Sequence, residues 1–206
     1  MASLLPNAKS PPALIVLSRE DLTALMPFGD YVDAVADAFR MHAEGRAVAS
    51  PPMHIPAAGG GFHVKAASLP IGPGYAAFKV NGNFPDNRAT HGLPTIQGAI
   101  LLFDTRTGSP VALLDSIEIT AQRTGAATAV AARYLARPES QVAMIFGCGT
   151  QARAQLAALR HHLDIRKVFL CDKDSAAAEA FASEIARDGL DGDVPVSRSW
   201  PRAQVT

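Results

Sequence analysis

Within the stretch QVAMIFGCGTQARAQLAAL, residues 141 to 159, Gly147, Gly149 and Ala152 spell G-x-G-x-x-A. This is dinucleotide spacing. The first glycine permits a tight turn after a strand, the second lets a pyrophosphate approach the backbone, and a small third residue lets helix and strand pack closely. Free N–H groups at the start of the next helix then receive the phosphate charge. Asp172 follows at about the 20-residue remove at which a carboxylate binds the adenosine ribose hydroxyls and repels a 2′-phosphate, so NAD is favoured over NADP. Lys173 beside it softens that preference. The competing reading is an ordinary loop, with Asp172 capping the helix after it; the order strand, turn, helix, strand, acid favours the nucleotide.

Three cations stand among apolar or small residues. Lys65 in FHVKAASL and Lys79 in YAAFKVNG lie inside strand-like runs, the second just ahead of an Asn-Gly turn. Burying an ammonium is costly unless an anion meets it, so each either alternates to the solvent face or holds an anionic ligand. Arg123, in TAQRTGAA, sits on a helix that reads as packed. Its planar fork can hold a carboxylate through two parallel hydrogen bonds, the alternative being a salt bridge at a domain junction. Thr95 opens a strand after Pro94 and offers a hydroxyl to a phosphate or an amide. The six histidines form no metal-type helix pair and no triad with serine and aspartate, so no metal is assigned. Cys148 and Cys171 fit neither a metal spacing nor a disulfide framework and read as buried small hydrophobes.

These groups need elements to position them. Residues 1–12 read as a flexible tail. Ser18 and Asp21 are spaced as a cap for a short helix ending before Pro27, and Val32, Val35, Ala36 and Phe39 mark the apolar face of a second helix that stops at Gly45. Short β-like runs then follow, FHVKAASL, YAAFKVNG, TIQGAILLFD and PVALLD, with DTRTGSP as a hairpin connection. Asp115 and Glu118 open a long alanine-rich helix, after which strand, helix, strand and helix alternate, with a third strand expected at VPVS. The fold class is α/β: an α+β domain over 13–120, with a mixed or mainly antiparallel sheet, then residues 121–206 as an incomplete Rossmann domain. One mononucleotide half is expected, so the chain reads as a fragment or the product of a shortened gene.

The totals exclude other classes. Nineteen basic residues balance nineteen acidic ones without a like-charge run, which argues against nucleic acid and anionic membranes as partners. No stretch approaches the roughly 20 apolar residues of a membrane span, and the opening MASLLPNAKSPP lacks a signal-peptide core, so a cytoplasmic protein is expected.

Taken together, FKVNGNFPDN, GLPTIQGAILLFDTRTGSPVALLD, RTGAATAVAARYLAR and GCGTQARAQL resemble the ornithine cyclodeaminase/mu-crystallin family over residues 30 to about 200. The resemblance implies a homodimer formed through the first domain, with NAD(H) or NADP(H) in the Rossmann domain, of which Asp172 favours NAD, and an amino acid or cyclic imine as substrate. It also implies site residues. Lys79, Arg123 and, as a weaker match, Arg46 would hold the substrate carboxylate, and Lys79 would be catalytic. Thr95 and Arg123 would approach the cofactor phosphates, with Gly147, Gly149, Thr150 and Gln151 forming the loop and Asp172 on the ribose. Lys65 stands near a cyclodeaminase glutamate, and Met53 follows the proline pair where many relatives carry Arg or Lys; both would line the substrate pocket. The implied reaction converts L-ornithine to L-proline and ammonia by hydride transfer through an imine. Alternatives are an alanine-type dehydrogenase, a cyclic ketimine reductase, or a crystallin-like binding protein without turnover. The family's catalytic aspartate belongs to the second Rossmann half, so this chain alone is expected to be inactive.

Overall fold

An apolar run opens the computed structural model, which describes residues 13–194, as β1 (Ile15–Leu17). A reciprocal capping box follows: Ser18 Oγ accepts from the Asp21 N–H, Asp21 accepts from the Ser18 N–H, and α1 (Arg19–Leu25) begins. The second helix, α2 (Phe28–Ala43), runs into Gly45, whose φ of +69° lets the chain turn away. Val32 is buried and Val35 and Ala36 pack beside it, whereas Phe39, expected on the same face, is exposed.

The first sheet is built from β2 (Val48–Ala49), β3 (Met53–Ala57), β4 (Gly60–Leu69) and β5 (Tyr75–Asn83) and, beyond the short α3 (Asn87–His91), from β6 (Ile96–Asp104) and β7 (Pro110–Asp115). Its order is β1-β7-β6-β5-β4-β2, with β3 also on β4. All pairs are antiparallel except β1 with β7. The loop DTRTGSP makes the β6–β7 hairpin, with Gly108 at φ +71°.

One turn expected from sequence is absent. Asn81 and Gly82 lie inside β5, paired with Gly98 and Gln97, because the buried Asn81 side chain is engaged by the Ser116 hydroxyl, whose Oγ lies 2.7 Å from Oδ1. Gly98 makes room for that contact. A Cβ there would stand 2.1 Å from Val80 O and 2.4 Å from Asn81 Oδ1.

From Ser116 the chain is helical as α4 (Ser116–Leu135), and Asp115 Oδ1 accepts from the Ile117 N–H at 2.8 Å. Next come β8 (Val142–Phe146), α5 (Thr150–His162), β9 (Lys167–Cys171), α6 (Ser175–Arg187) and β10 (Asp191–Asp193). The three strands are parallel in the order β10-β9-β8, the pattern of the first mononucleotide half of a Rossmann fold. The third strand therefore precedes VPVS, of which residues 195–197 lie outside the described residues. So does the expected N-terminal tail.

Two compact units result. Of the described residues, one holds 13–27 with Asp37–Thr120, the other Phe28–Ala36 with 121–194. Residues 28–36 thus leave the domain that the linear order assigns them to. Their Tyr31 and Val32 pack with Ala126, Ala129, Val130 and Ala158, where Gly125 comes so near Ala154 that a Cβ would lie 2.8 Å from its carbonyl oxygen. A separate core centred on Val168, Leu170, Phe181 and Ile185 fills the space between the parallel strands and α5 and α6.

Replacing Gly98 with alanine should force β5 and β6 apart and cost about 1–3 kcal/mol. Urea unfolding followed by circular dichroism would show it as a lower midpoint; an unchanged midpoint would contradict the close approach.

Candidate functional site

Strand β8 ends at Phe146, and Gly147 turns with φ +90° while its N–H donates to Cys171 O at 2.7 Å. A side chain would be strained there. Gly149 differs: its backbone is extended (φ −81°, ψ −165°), which any residue adopts, yet a Cβ would meet nothing within 4 Å. The missing side chain therefore relieves no clash inside the protein and instead leaves open room. Gly149 is the N-cap of α5 and makes no side-chain cap bond, and Thr150 and Gln151 of the first turn are exposed. The positive end of the helix dipole faces that room with amides to offer an anion. Ala152, by contrast, is buried against the core, where its small size lets α5 approach the sheet.

Asp172 joins this turn. Its Oδ2 accepts from the Cys148 N–H at 2.6 Å and its Oδ1 from the Asp174 N–H at 3.0 Å. It does not cap the following helix, because Asp174 does so through the Ala176 N–H. The bonds from Asp174 and Cys148 favour the ionised carboxylate and hold its pKa below the ordinary range. Burial and then the Asp172 charge raise the Cys148 thiol pKa, so this buried cysteine stays a neutral packing residue, while Cys171 is only half-buried. Arg153, to which sequence reading assigned nothing, donates to the carbonyls of Cys148 and Gly149. The only linear hint is its place four residues after the second glycine.

The first unit brings two of the expected cations together. Lys65 and Lys79 are cross-strand partners on β4 and β5 and so share a face. Lys65 is exposed; Lys79 is half-buried, with Nζ 3.5 Å from Thr120 Oγ1, a contact invisible in the sequence. Met53 pairs with Val64, the neighbour of Lys65, so it lies on the opposite face and cannot line a pocket with Lys65. Arg46 is exposed and ion-paired with Glu44 at 2.9 Å. Thr95 is half-buried and precedes β6, its carbonyl accepting from the Phe84 N–H; Lys79 pairs with Ile100, several positions along that strand.

Arg123 belongs to the second unit, on α4 two residues before Gly125. It is exposed, although the sequence reads α4 as packed around it, and partial desolvation lowers its pKa from the usual arginine range. Among the described residues it has no ion-pair partner. Also among them, no group of three or more His, Cys, Asp or Glu is placed to hold a metal, and no helix is long and apolar enough to cross a membrane.

Known proteins resemble this chain in sequence and fold. The alanine dehydrogenase of Archaeoglobus fulgidus is 36% identical over 191 residues, 93% of this chain and 58% of the relative. The solved Δ1-pyrroline-2-carboxylate reductase of Thermococcus litoralis, in complex with NADH and L-proline, superposes with a TM-score of 0.83 at 34% identity, covering 90% of this chain and 58% of that one. A lysine cyclodeaminase, solved to explain its recognition of L-lysine, L-ornithine and L-2,4-diaminobutyric acid, gives a TM-score of 0.75 at 31% identity over 88% of this chain and 56% of its own. The chain thus spans somewhat under three-fifths of the length of these relatives. The sequence profile of one family matches residues 14–203, and the chain belongs to that family, the ornithine cyclodeaminases and mu-crystallins.

Proposed function

We propose that the chain carries the dinucleotide- and carboxylate-binding elements of an NAD-dependent enzyme that converts L-ornithine to L-proline and ammonia. The observation that carries the cofactor is the open room at Gly149, beside the uncapped start of α5 and within a turn tied to Asp172. A pyrophosphate fits that donor set. Each carboxylate oxygen of Asp172 keeps a lone pair beyond its backbone bond, so it can also accept from ribose hydroxyls. When bound, NAD supplies the hydride acceptor and donor that take an amino acid to its imine and back.

The chain's own part is to hold and orient. Lys79 is a point-charge ligand for the substrate carboxylate, restrained by Thr120. Arg123 offers a planar fork, which fixes direction as well as charge. A carboxylate held in a fixed direction limits how the Cα hydrogen is presented, as orientation catalysis requires. Arg46 serves only if it leaves Glu44. Thr95 is assigned to the cofactor phosphates on family resemblance alone.

Lys65 favours a second reading. An ammonium beside Lys79 attracts a carboxylate but repels the side-chain ammonium of ornithine, which suits an alanine-type dehydrogenase or a cyclic ketimine reductase. The sheet face opposite the two lysines carries Phe62, Phe78, Val80 and Leu101, all exposed, and we assign it to a homodimer contact.

Three measurements follow. Gly149→Val should fold normally, since its Cβ meets no protein atom, yet weaken NADH binding more than tenfold; unchanged affinity by fluorescence titration would remove the pyrophosphate from this turn. With L-ornithine and NAD⁺, cyclodeamination yields proline without net NADH, and Lys79→Ala should lower kcat/KM on the order of 10–100-fold. NADH from L-alanine, or NADH consumed with a cyclic ketimine, without proline from L-ornithine would support the second reading, and NADH binding with no product from any of these would support a binding protein without turnover. Sedimentation equilibrium should give twice the chain mass, reduced to one by Phe78→Asp; a single-chain mass for the parent would refute the dimer.

A further inference from the structure

Arg153 lies one helical turn beyond Gly149, and its guanidinium joins the glycine turn to α6. Its Nη1 donates to Cys148 O at 3.0 Å and to Gly149 O at 3.1 Å. Its Nε donates to both carboxylate oxygens of Glu184, at 3.1 and 2.8 Å, and Nη2 completes the ion pair. The guanidinium also covers the ring of the buried Phe181, 4.6 Å from its centroid.

The consequence lies in peptide geometry. A trans peptide is planar, so the C=O of one residue and the N–H of the next point in opposite directions. The Cys148 carbonyl shares a plane with the Gly149 N–H, and the Gly149 carbonyl with the Thr150 N–H. Holding both carbonyls with one nitrogen therefore aims both amides away from Arg153. These amides lie at the second glycine and the first residue of α5, where a turn of this spacing meets a pyrophosphate. Glu184 and Phe181 fix the guanidinium before any ligand arrives, so less freedom is lost on binding. A lysine keeps the charge but cannot present one fork to two carbonyls and a carboxylate.

We propose that Arg153 is a positioning residue for the dinucleotide pyrophosphate, acting through the Gly149 and Thr150 amides. This rests on the nucleotide reading of the turn and goes beyond it, because Arg153 faces the carbonyl side and need not touch the ligand.

The test compares the 206-residue chain with Arg153→Lys by calorimetric titration of NADH, ADP and adenosine, with thermal melting as a folding control and amide hydrogen exchange over residues 147–151. The variant should bind NADH and ADP about tenfold more weakly, the scale of one charge-assisted hydrogen bond. Adenosine affinity should be unchanged, and exchange at Gly149 and Thr150 should quicken. Should Arg153→Lys fail to fold, Glu184→Gln, which keeps an acceptor without the charge, should show a smaller loss with the same ligand pattern. Parental affinity for NADH and ADP, or an equal loss for adenosine, would overturn the proposal. If the parent binds NADH and exchange does not change in the variant, the positioning role alone fails. If exchange quickens but the parent binds neither NADH nor ADP, the nucleotide reading fails, and the pyrophosphate role with it.

Discussion

The hydrogen bond from the Cys148 N–H to Asp172 Oδ2, 2.6 Å long, is the constraint on which the site depends. Parallel pairing sets Phe146 opposite Cys171, so the residues that follow, Gly147 and Asp172, leave the sheet side by side. The carboxylate then reaches the peptide after the first glycine. Because the strands are parallel, their C-terminal ends open on one edge, the side on which open α/β sheets bind ligands. Asp172 holds the amide side of the turn and Arg153 the carbonyl side. Between them the backbone keeps one shape, and the room beside Gly149 stays clear.

The first unit poses a different problem. Lys65 and Lys79 stand directly opposite each other on neighbouring strands, an arrangement that disfavours the sheet by like-charge repulsion. Long antiparallel pairing keeps β4 and β5 in register over nine residue pairs, so the two ammonium groups cannot drift apart by slipping. Asn81, two residues on, is buried on the same face and engaged by Ser116, which anchors the start of α4 to this part of the sheet.

Local signals carried most of the fold. The Ser18 and Asp21 cap, the Gly45 stop, the hairpin at DTRTGSP and the glycine turn each depend on residues within one or two turns of one another, and each formed where the sequence placed it. Legibility failed where distant partners decide. Asn81-Gly82 looks like a turn until Ser116 and Gly98 are seen to hold it in a strand. Met53 changes faces relative to Lys65 because strand register, unlike proximity in sequence, decides sides. Tyr31 and Val32 join the second unit because the small residues of α4 and α5 form a surface for them. Arg153 was illegible for the same reason, as Glu184 lies 31 positions away.

The most direct measurement is an amide-resolved NMR titration of the chain with NADH. If the turn after β8 receives the pyrophosphate, the largest shifts fall on Gly147, Cys148, Gly149, Thr150 and Gln151, with a second group at Asp172 and Lys173. No shifts at these amides, or saturable shifts confined to the first unit, would contradict a dinucleotide site in this turn.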